Sequence, residues 1–368
     1  MRLTELDYLL PPERIAQRPL EQRDASRMLL LNRTTGAWED RTFREFPALL
    51  RGDELVVVNN ARVIPARLLG RRLGTYSGPR AKSTKASREF LQSPIELMLV
   101  RQIEANVWEA LVRPGRKVGI GEKIIFGDGE LTAEVESRGE YGIRRLRFQA
   151  EGDFESALNR LGHIPLPPYI HRADEPADRE RYQTLFATHA GAIAAPTAGL
   201  HFSQEVLAQL RARHIEIAEI TLEVGLGTFE PVRTERIEDH PIHRESYELS
   251  QNAAAAIERA RSNGRPILAI GTTVVRALED AAAKSLGAAT VPAALRIPPG
   301  RAEAEIFLYP GKDFRVVDQL LTNFHLPQSS LLALVAAFAG REHVLRAYAH
   351  AIEAGYRFYS YGDCMLIR

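Results

Sequence analysis

The chain is 368 residues long, 45% hydrophobic and 26% charged, with 26 Gly and 21 Pro, a composition that excludes a coiled coil, a collagen-like fibre and a disordered chain. That length exceeds one ordinary hydrophobic core and predicts two domains. The net charge is +1, which gives no reason in itself to expect a polyanion as partner, and the single cysteine, Cys364, excludes an intrachain disulfide and any Cys-rich metal site, as in a reducing compartment.

Met1 to Pro12 interrupts its apolar residues with acids and does not resemble a secretory signal. The most apolar run, Leu331 to Ala339, is far short of the roughly 20 residues that span a bilayer. A soluble, cytoplasmic protein without membrane contact is expected. Met28–Asn32 and the nearly continuous apolar run Glu54–Asn60 predict strands, with Thr42–Leu50 a helix between them. From Arg62 to Arg88 there are eight basic residues (Arg62, Arg67, Arg71, Arg72, Arg80, Lys82, Lys85, Arg88) and no acid, leaving −7 on the rest of the chain. Residues 73–93 read as a long loop, either a solvated one or one that neutralises phosphates.

Ile95–Gln102, Val107–Arg113, Lys123–Phe126, Leu131–Ser137 and Ile143–Gln149 are short β-rich segments separated by Gly and Pro turns, the pattern of a small antiparallel β-barrel. Beyond Glu151 helices and strands alternate, as in an α/β layer structure. Ser203 caps a helix running to about Arg213, and a strand follows from Ile215 to Val224. Ser250 and Gly264 bracket a helix, Pro266–Ile270 is a buried strand, and a helical region from Ser329 to Gly355 breaks near Gly340. The expected architecture is α/β: a barrel-like α/β main domain (residues 1–65 plus 151–368) interrupted by an inserted antiparallel β-barrel (residues 66–150) carrying the basic loop. No long heptad is present, so a monomer is expected.

Several segments have the residue types that chemistry needs. Gly271-Thr272-Thr273 turns a strand into a helix, where it either makes a turn and cap or receives a carboxylate or phosphate. Gly225-Leu-Gly227-Thr228 follows a strand but lacks the third glycine of a dinucleotide site, and neither a P-loop nor a Gly-x-Ser-x-Gly elbow occurs. His201, ending the Ala195-Pro-Thr197 turn, is either structural or an acid, base or base-edge partner. His240-Pro-Ile-His243 lacks the HExxH pattern, so no metal is expected. The acids between Glu216 and Glu248, Glu223 among them, are solvated surface or line a pocket for a cation. Asn323-Phe-His325 and Tyr359-Ser-Tyr361-Gly-Asp363 set polar groups among aromatics, which either pack in the core or stack on bases.

Together the strings Arg62-Val-Ile-Pro-Ala-Arg67, Pro165-Leu-Pro-Pro-Tyr169, Ala195-Pro-Thr-Ala-Gly-Leu-His-Phe202, Val224-Gly-Leu-Gly-Thr-Phe229, Gly271-Thr-Thr273, Val275-Arg-Ala-Leu-Glu279, Thr322-Asn-Phe-His-Leu-Pro327 and Gly355-Tyr-Arg-Phe-Tyr-Ser-Tyr-Gly-Asp363 make the chain resemble the S-adenosylmethionine:tRNA ribosyltransferase-isomerases of queuosine biosynthesis along nearly its whole length. The resemblance implies an enzyme with no prosthetic group that uses S-adenosylmethionine as co-substrate. Its ribosyl part would pass to the 7-aminomethyl-7-deazaguanine at the wobble position of tRNA and be isomerised to the epoxide of epoxyqueuosine, with loss of adenine and methionine. Such chemistry needs a base for a C5′ proton beside the sulfonium, a donor toward departing adenine and a neutral amine. It assigns His201, Glu223, His325 and Asp363 to an acid–base pool without ordering them. Substrate binding falls to Arg62, Arg67, Thr197, Gly225, Gly227, Thr228, Gly271, Thr272, Thr273, Arg276, Asn323, Tyr359 and Tyr361. Two positions depart from the family pattern: Asn60 stands where an aspartate is expected, and Glu223 where a histidine is. An S-adenosylmethionine-dependent RNA methyltransferase and a noncatalytic tRNA-binding protein are the competing readings.

Overall fold

The computed structural model describes residues 1–74, 94–223, 225, 232–286 and 296–368. Its strands in chain order are β1 (Arg27–Leu31), β2 (Trp38–Thr42), β3 (Leu55–Asn59), β4 (Ala61–Val63), β5 (Arg67–Gly74), β6 (Pro94–Glu104), β7 (Val107–Arg113), β8 (Lys123–Phe126), β9 (Leu131–Arg138), β10 (Ile143–Ala150), β11 (His189–Ala192), β12 (Glu216–Glu223), β13 (Glu245–Leu249), β14 (Ile267–Ile270), β15 (Gly300–Ala304), β16 (Gln319–Asn323) and β17 (Cys364–Ile367). The expected helix over 42–50 is shorter: β2 reaches Thr42, whose capping box with Glu45 opens a 3-10 turn, and one helical turn follows at Phe46–Leu49.

The chain divides into two units, one of Met1–Arg62, Pro167–Ala173 and Glu180–Arg368, the other of Val63–Leu166 and Asp174–Arg179. In the larger unit nine strands form one mixed sheet in the order β15-β13-β12-β3-β14-β16-β17-β1-β2. This main sheet has two edges, β15 and β2, where a barrel-like closure was expected. The parallel core runs β12-β3-β14-β16, and β17 pairs antiparallel with β16 but parallel with β1. Along β3, Leu55 and Val57 enter one apolar cluster while Val56 and Val58 enter the other, so alternate side chains are buried on both faces. This explains the unbroken apolar run, because a strand covered on both sides has no polar face to present. Helices Gln251–Ser262 and Thr272–Leu286 supply buried residues to the first cluster, and Gln204–Ala212 supplies Val206, Leu207 and Leu210 to the second.

The smaller unit is a closed six-stranded antiparallel barrel in the order β10-β7-β6-β5-β8-β9. Alternate residues such as Ile95, Leu97 and Leu99 of β6 are buried. The unit reaches past the expected 66–150 because helix Phe154–Leu161 and the chain through Leu166 belong to it. There Gly162 is sterically required: a Cβ would lie 2.2 Å from the Pro65 carbonyl oxygen. Two of the eight cations of the basic stretch are spent inside this unit. Arg67 pairs with Glu96 at 2.9 Å, and Arg72, buried, grips both oxygens of Glu122 at 3.0 and 2.9 Å. Arg80, Lys82, Lys85 and Arg88 lie outside the described residues. Among the described residues no helix is long and apolar enough to cross a membrane.

Candidate active site

β14 and β16 are parallel neighbours, so their C-terminal ends open on the same edge of the sheet, the usual place for a ligand in an α/β fold. After β14, Gly271 adopts φ +99°, and its N–H donates to the Leu321 carbonyl at 2.8 Å, which ties the turn to β16. The helix Thr272–Leu286 starts there, with Thr272 and Thr273 buried in its first turn. After β16 the chain continues through Phe324 and His325 to Pro327. A cavity lies between these two strand ends, completed by Ala195–Ala198, Tyr169, Tyr359 and Ser360. It therefore unites Thr197, Gly271, Thr272, Thr273, Asn323, His325 and Tyr359 of the expected set. Among the described residues its lining has no carboxylate, guanidinium or ammonium group, so a helix N-terminus is the positive end offered to an anion.

Tyr359 is a tyrosine at φ +71°, a conformation uncommon outside glycine. It is held by its N–H donating to the Phe324 carbonyl at 3.2 Å and by its carbonyl accepting from Asn323 Nδ2 at 2.8 Å. Its ring lies 4.3 Å, centroid to centroid, from that of Tyr169, whose hydroxyl meets Ser360 Oγ at 2.6 Å. The Tyr359 hydroxyl is buried without a protein partner.

Both histidines are buried. His325 Nε2 meets Thr322 Oγ1 at 2.9 Å, and burial holds its pKa down at about 3. His201 Nδ1 meets Ser26 Oγ at 2.8 Å, while burial lowers its pKa to about 4 despite the nearby Asn323 amide, which favours the charged ring. No hydrogen bond of ordinary geometry joins His201 Nε2 to Asn323 Oδ1, and both atoms lack a protein partner. His201 lines a second, smaller cavity with Tyr361, and Ser360 borders both cavities.

The other expected residues lie elsewhere. The Asp363 carboxylate accepts from the backbone N–H groups of Arg27 and Arg357 at 2.9 and 2.7 Å, bracing the loop before β17, and its pKa is raised by burial. Glu223, at the end of β12, is 42% exposed and pairs with Arg301. Arg276 is buried against Glu245 at 2.6 Å. Arg62 is exposed on β4, and Arg67 belongs to the barrel unit. Gly225 is described but does not line the cavity, and Gly227 and Thr228 lie outside the described residues. Asn60, where an acid was expected, accepts from Thr221 Oγ1 at 2.8 Å and donates to Glu219 at 3.2 Å. Sequence reasoning missed Tyr169, Ser360 and Ser26 as site residues. Tyr169 sits in a string quoted for the resemblance, but Ser26 has no local signal. Among the described residues no cluster of three His, Cys, Asp or Glu is placed to hold a metal.

The family model described as "Queuosine biosynthesis protein" matches residues 3–367. A protein of Solibacter usitatus described as S-adenosylmethionine:tRNA ribosyltransferase-isomerase is 49% identical over 369 residues, covering 100% of both chains. One of the same description from Moorella thermoacetica is 49% identical over 368 residues, again with 100% of each covered. The crystal structure of S-adenosylmethionine tRNA ribosyltransferase from Thermotoga maritima, at 2.00 Å resolution, is 34% identical with a TM-score of 0.51, covering 99% of this chain and 100% of that one. With the strand-end cavity and the inserted barrel in place, these full-length matches show that the chain belongs to the queuosine biosynthesis family, among the S-adenosylmethionine:tRNA ribosyltransferase-isomerases.

Proposed function

We propose that this enzyme moves the ribosyl part of S-adenosylmethionine onto the 7-aminomethyl-7-deazaguanine at the wobble position of tRNA and isomerises it, giving epoxyqueuosine-tRNA, adenine and methionine. The observation that carries the reading is the convergence of four separated segments, Ala195–Ala198, Gly271–Thr273, Thr322–Pro327 and Tyr359–Ser360, on one cavity at a sheet edge. The first turn of helix Thr272–Leu286 suits the methionine carboxylate, since its N–H groups and dipole favour negative charge. The faces of Tyr169 and Tyr359 suit the sulfonium, which a ring quadrupole attracts. His201 and His325 are neutral imidazoles at pH 7, ready to take the C5′ proton that the sulfonium acidifies. Asn323 and the Tyr359 hydroxyl supply polar atoms to orient a base.

The acid–base pool thereby narrows to the two histidines, with Asp363 bracing the backbone and Glu223 paired on the surface. The cationic surplus of Arg62–Arg88 supports contact with tRNA phosphates, Arg67 and Arg72 excepted because carboxylates hold them. The enzyme is read as a cytoplasmic monomer, in keeping with its lone buried thiol.

The test mixes the protein with S-adenosylmethionine and tRNA bearing the 7-aminomethyl base and analyses the small molecules. Adenine and methionine in equal amounts are expected. S-adenosylhomocysteine would establish a methyltransferase, and binding without turnover would establish a binding module. Equal reaction of tRNA lacking the aminomethyl group would overturn the substrate assignment.

A further inference from the structure

Ser26 has one hydroxyl proton and two groups to satisfy. The Arg23 carbonyl, 3.0 Å from Ser26 Oγ, can only accept, so the serine donates there. His201 Nδ1, 2.8 Å from the same oxygen, must then be the donor in its own bond. The proton of the neutral ring is fixed on Nδ1, and Nε2 presents a lone pair. Across from it, Asn323 donates through Nδ2 to the Tyr359 carbonyl at 2.8 Å, which fixes the amide and leaves Oδ1 as its other end. His201 and Asn323 are each 3% exposed, and no protein group donates to Nε2 or to Oδ1. Two buried acceptors thus face one place, at the wall where Ser360 borders both cavities. A group with two hydrogens on one nitrogen satisfies both at once.

We propose that His201 Nε2 and Asn323 Oδ1 form a paired acceptor for an N–H₂ group, an aliphatic primary amine or an exocyclic amino group, and that Ser26 is the positioning residue that sets it by locking His201 in the Nδ1–H tautomer. The tautomer assignment stands on the hydrogen bonds alone. The amine assignment rests on the proposed reaction, whose two nitrogen-bearing reactants are the aminomethyl nucleophile and the adenine of S-adenosylmethionine. An amine that donates one hydrogen to Nε2 keeps its own lone pair for attack, and the imidazole can take its proton as the C–N bond forms. In the opposite tautomer Ser26 would donate to Nδ1 and abandon the Arg23 carbonyl, while Nε2–H would turn to Asn323 and close the site to an amine.

The experiment is nitrogen-15 NMR of the full-length protein labelled at histidine, without substrates, at neutral pH. His201 is expected to show a protonated Nδ1 and an unprotonated Nε2. The S26T variant is expected to keep that signature and S26A to lose it, with adenine release from S26A falling about 10- to 100-fold, the scale seen when the hydrogen-bond partner orienting a metal-bound histidine is removed. Saturating S-adenosylmethionine in one arm, and an RNA stem-loop bearing the 7-aminomethyl base in the other, then distinguish the two amines by which of them moves the Nε2 resonance. A protonated Nε2 in the unmodified protein overturns the tautomer assignment, a measurement that needs no variant to fold. An Nε2 resonance that neither ligand moves overturns the paired acceptor. Failure of the parent protein to release adenine overturns the proposed reaction instead, and leaves the tautomer result standing.

Discussion

Two polar clusters are equally buried in the large unit and differ in one respect. Around Arg276 every direction is answered: Nη1 donates to Glu245 at 2.6 Å, Nη2 to the carbonyls of His243 and Ala304 at 2.9 and 3.2 Å, and Nε to that of Ile306 at 3.4 Å. Around His201 and Asn323 one side is answered by Ser26 and Tyr359, and the facing atoms are not. A saturated cluster holds elements together, whereas a half-answered one keeps an unmet demand that a ligand can fulfil. Burial and residue type do not separate scaffold from site here; the count of partners does.

Replacing His201 attacks the open cluster directly. H201N is expected to slow adenine release by about 10² to 10⁴, the usual contribution of a general base, with S-adenosylmethionine binding retained. Single-turnover adenine release checks it, and a rate within threefold of the parent would remove His201 from the chemistry. R276M attacks the closed cluster and should act on folding instead, costing about 3–5 kcal/mol by leaving the Glu245 carboxylate buried and unpaired. Urea denaturation measures that loss, and the fraction that stays folded should turn over normally.

G271A lies between the two cases. A Cβ there meets nothing closer than 3.8 Å, so the expected cost of about 1–3 kcal/mol comes from holding alanine at φ +99°. A smaller loss of stability than of S-adenosylmethionine affinity would show that the turn shapes the cavity.

The buried histidines also set a pH dependence. Both have folded pKa values far below their ordinary 6.5, about 4 for His201 and about 3 for His325. On acidification the unfolded chain takes up these protons first. Each histidine therefore makes stability fall below about pH 6.5, with a slope of about 1.4 kcal/mol per pH unit down to its folded value. H325N should flatten the dependence of the urea midpoint by one such slope. The smallest effect is expected of E223A. Its ion pair with Arg301 is solvent-screened, so stability should change by less than about 0.5 kcal/mol and adenine release by less than twofold.

Local structure was largely legible, because its causes are local. Ser203 and Ser250 accept from Val206 and Ala253 N–H groups at the helix starts expected of them, and Gly264 has φ +65° just past the helix it was expected to end. The barrel strands fall within a residue or two of the alternating segments. Individual roles were less legible. Arg276 and Asp363 look chemical in sequence, and only the partners brought by β13 and β1 show that their charge is already used. Ser26 has the reverse history: nothing around it in sequence signals a role, and it reaches His201 across 175 positions. Glu279 was quoted as part of a motif, yet it accepts from the N–H groups of Arg315, Val316 and Val317, a pairing that no spacing rule announces.

The place of β17 has a consequence for how the molecule is made. It lies inside the main sheet, and it alone joins β16 to β1 and thus to the β1–β2 hairpin. On the ribosome that hairpin emerges early and must wait more than three hundred residues for the strand that docks it, a closure of high sequence separation that favours slow completion. Tyr359 and Ser360 immediately precede that strand, so the cavity wall and the last gap in the sheet are closed by the same late event. A nascent chain can finish its barrel first, but it gains a binding site only when its final strand zips in.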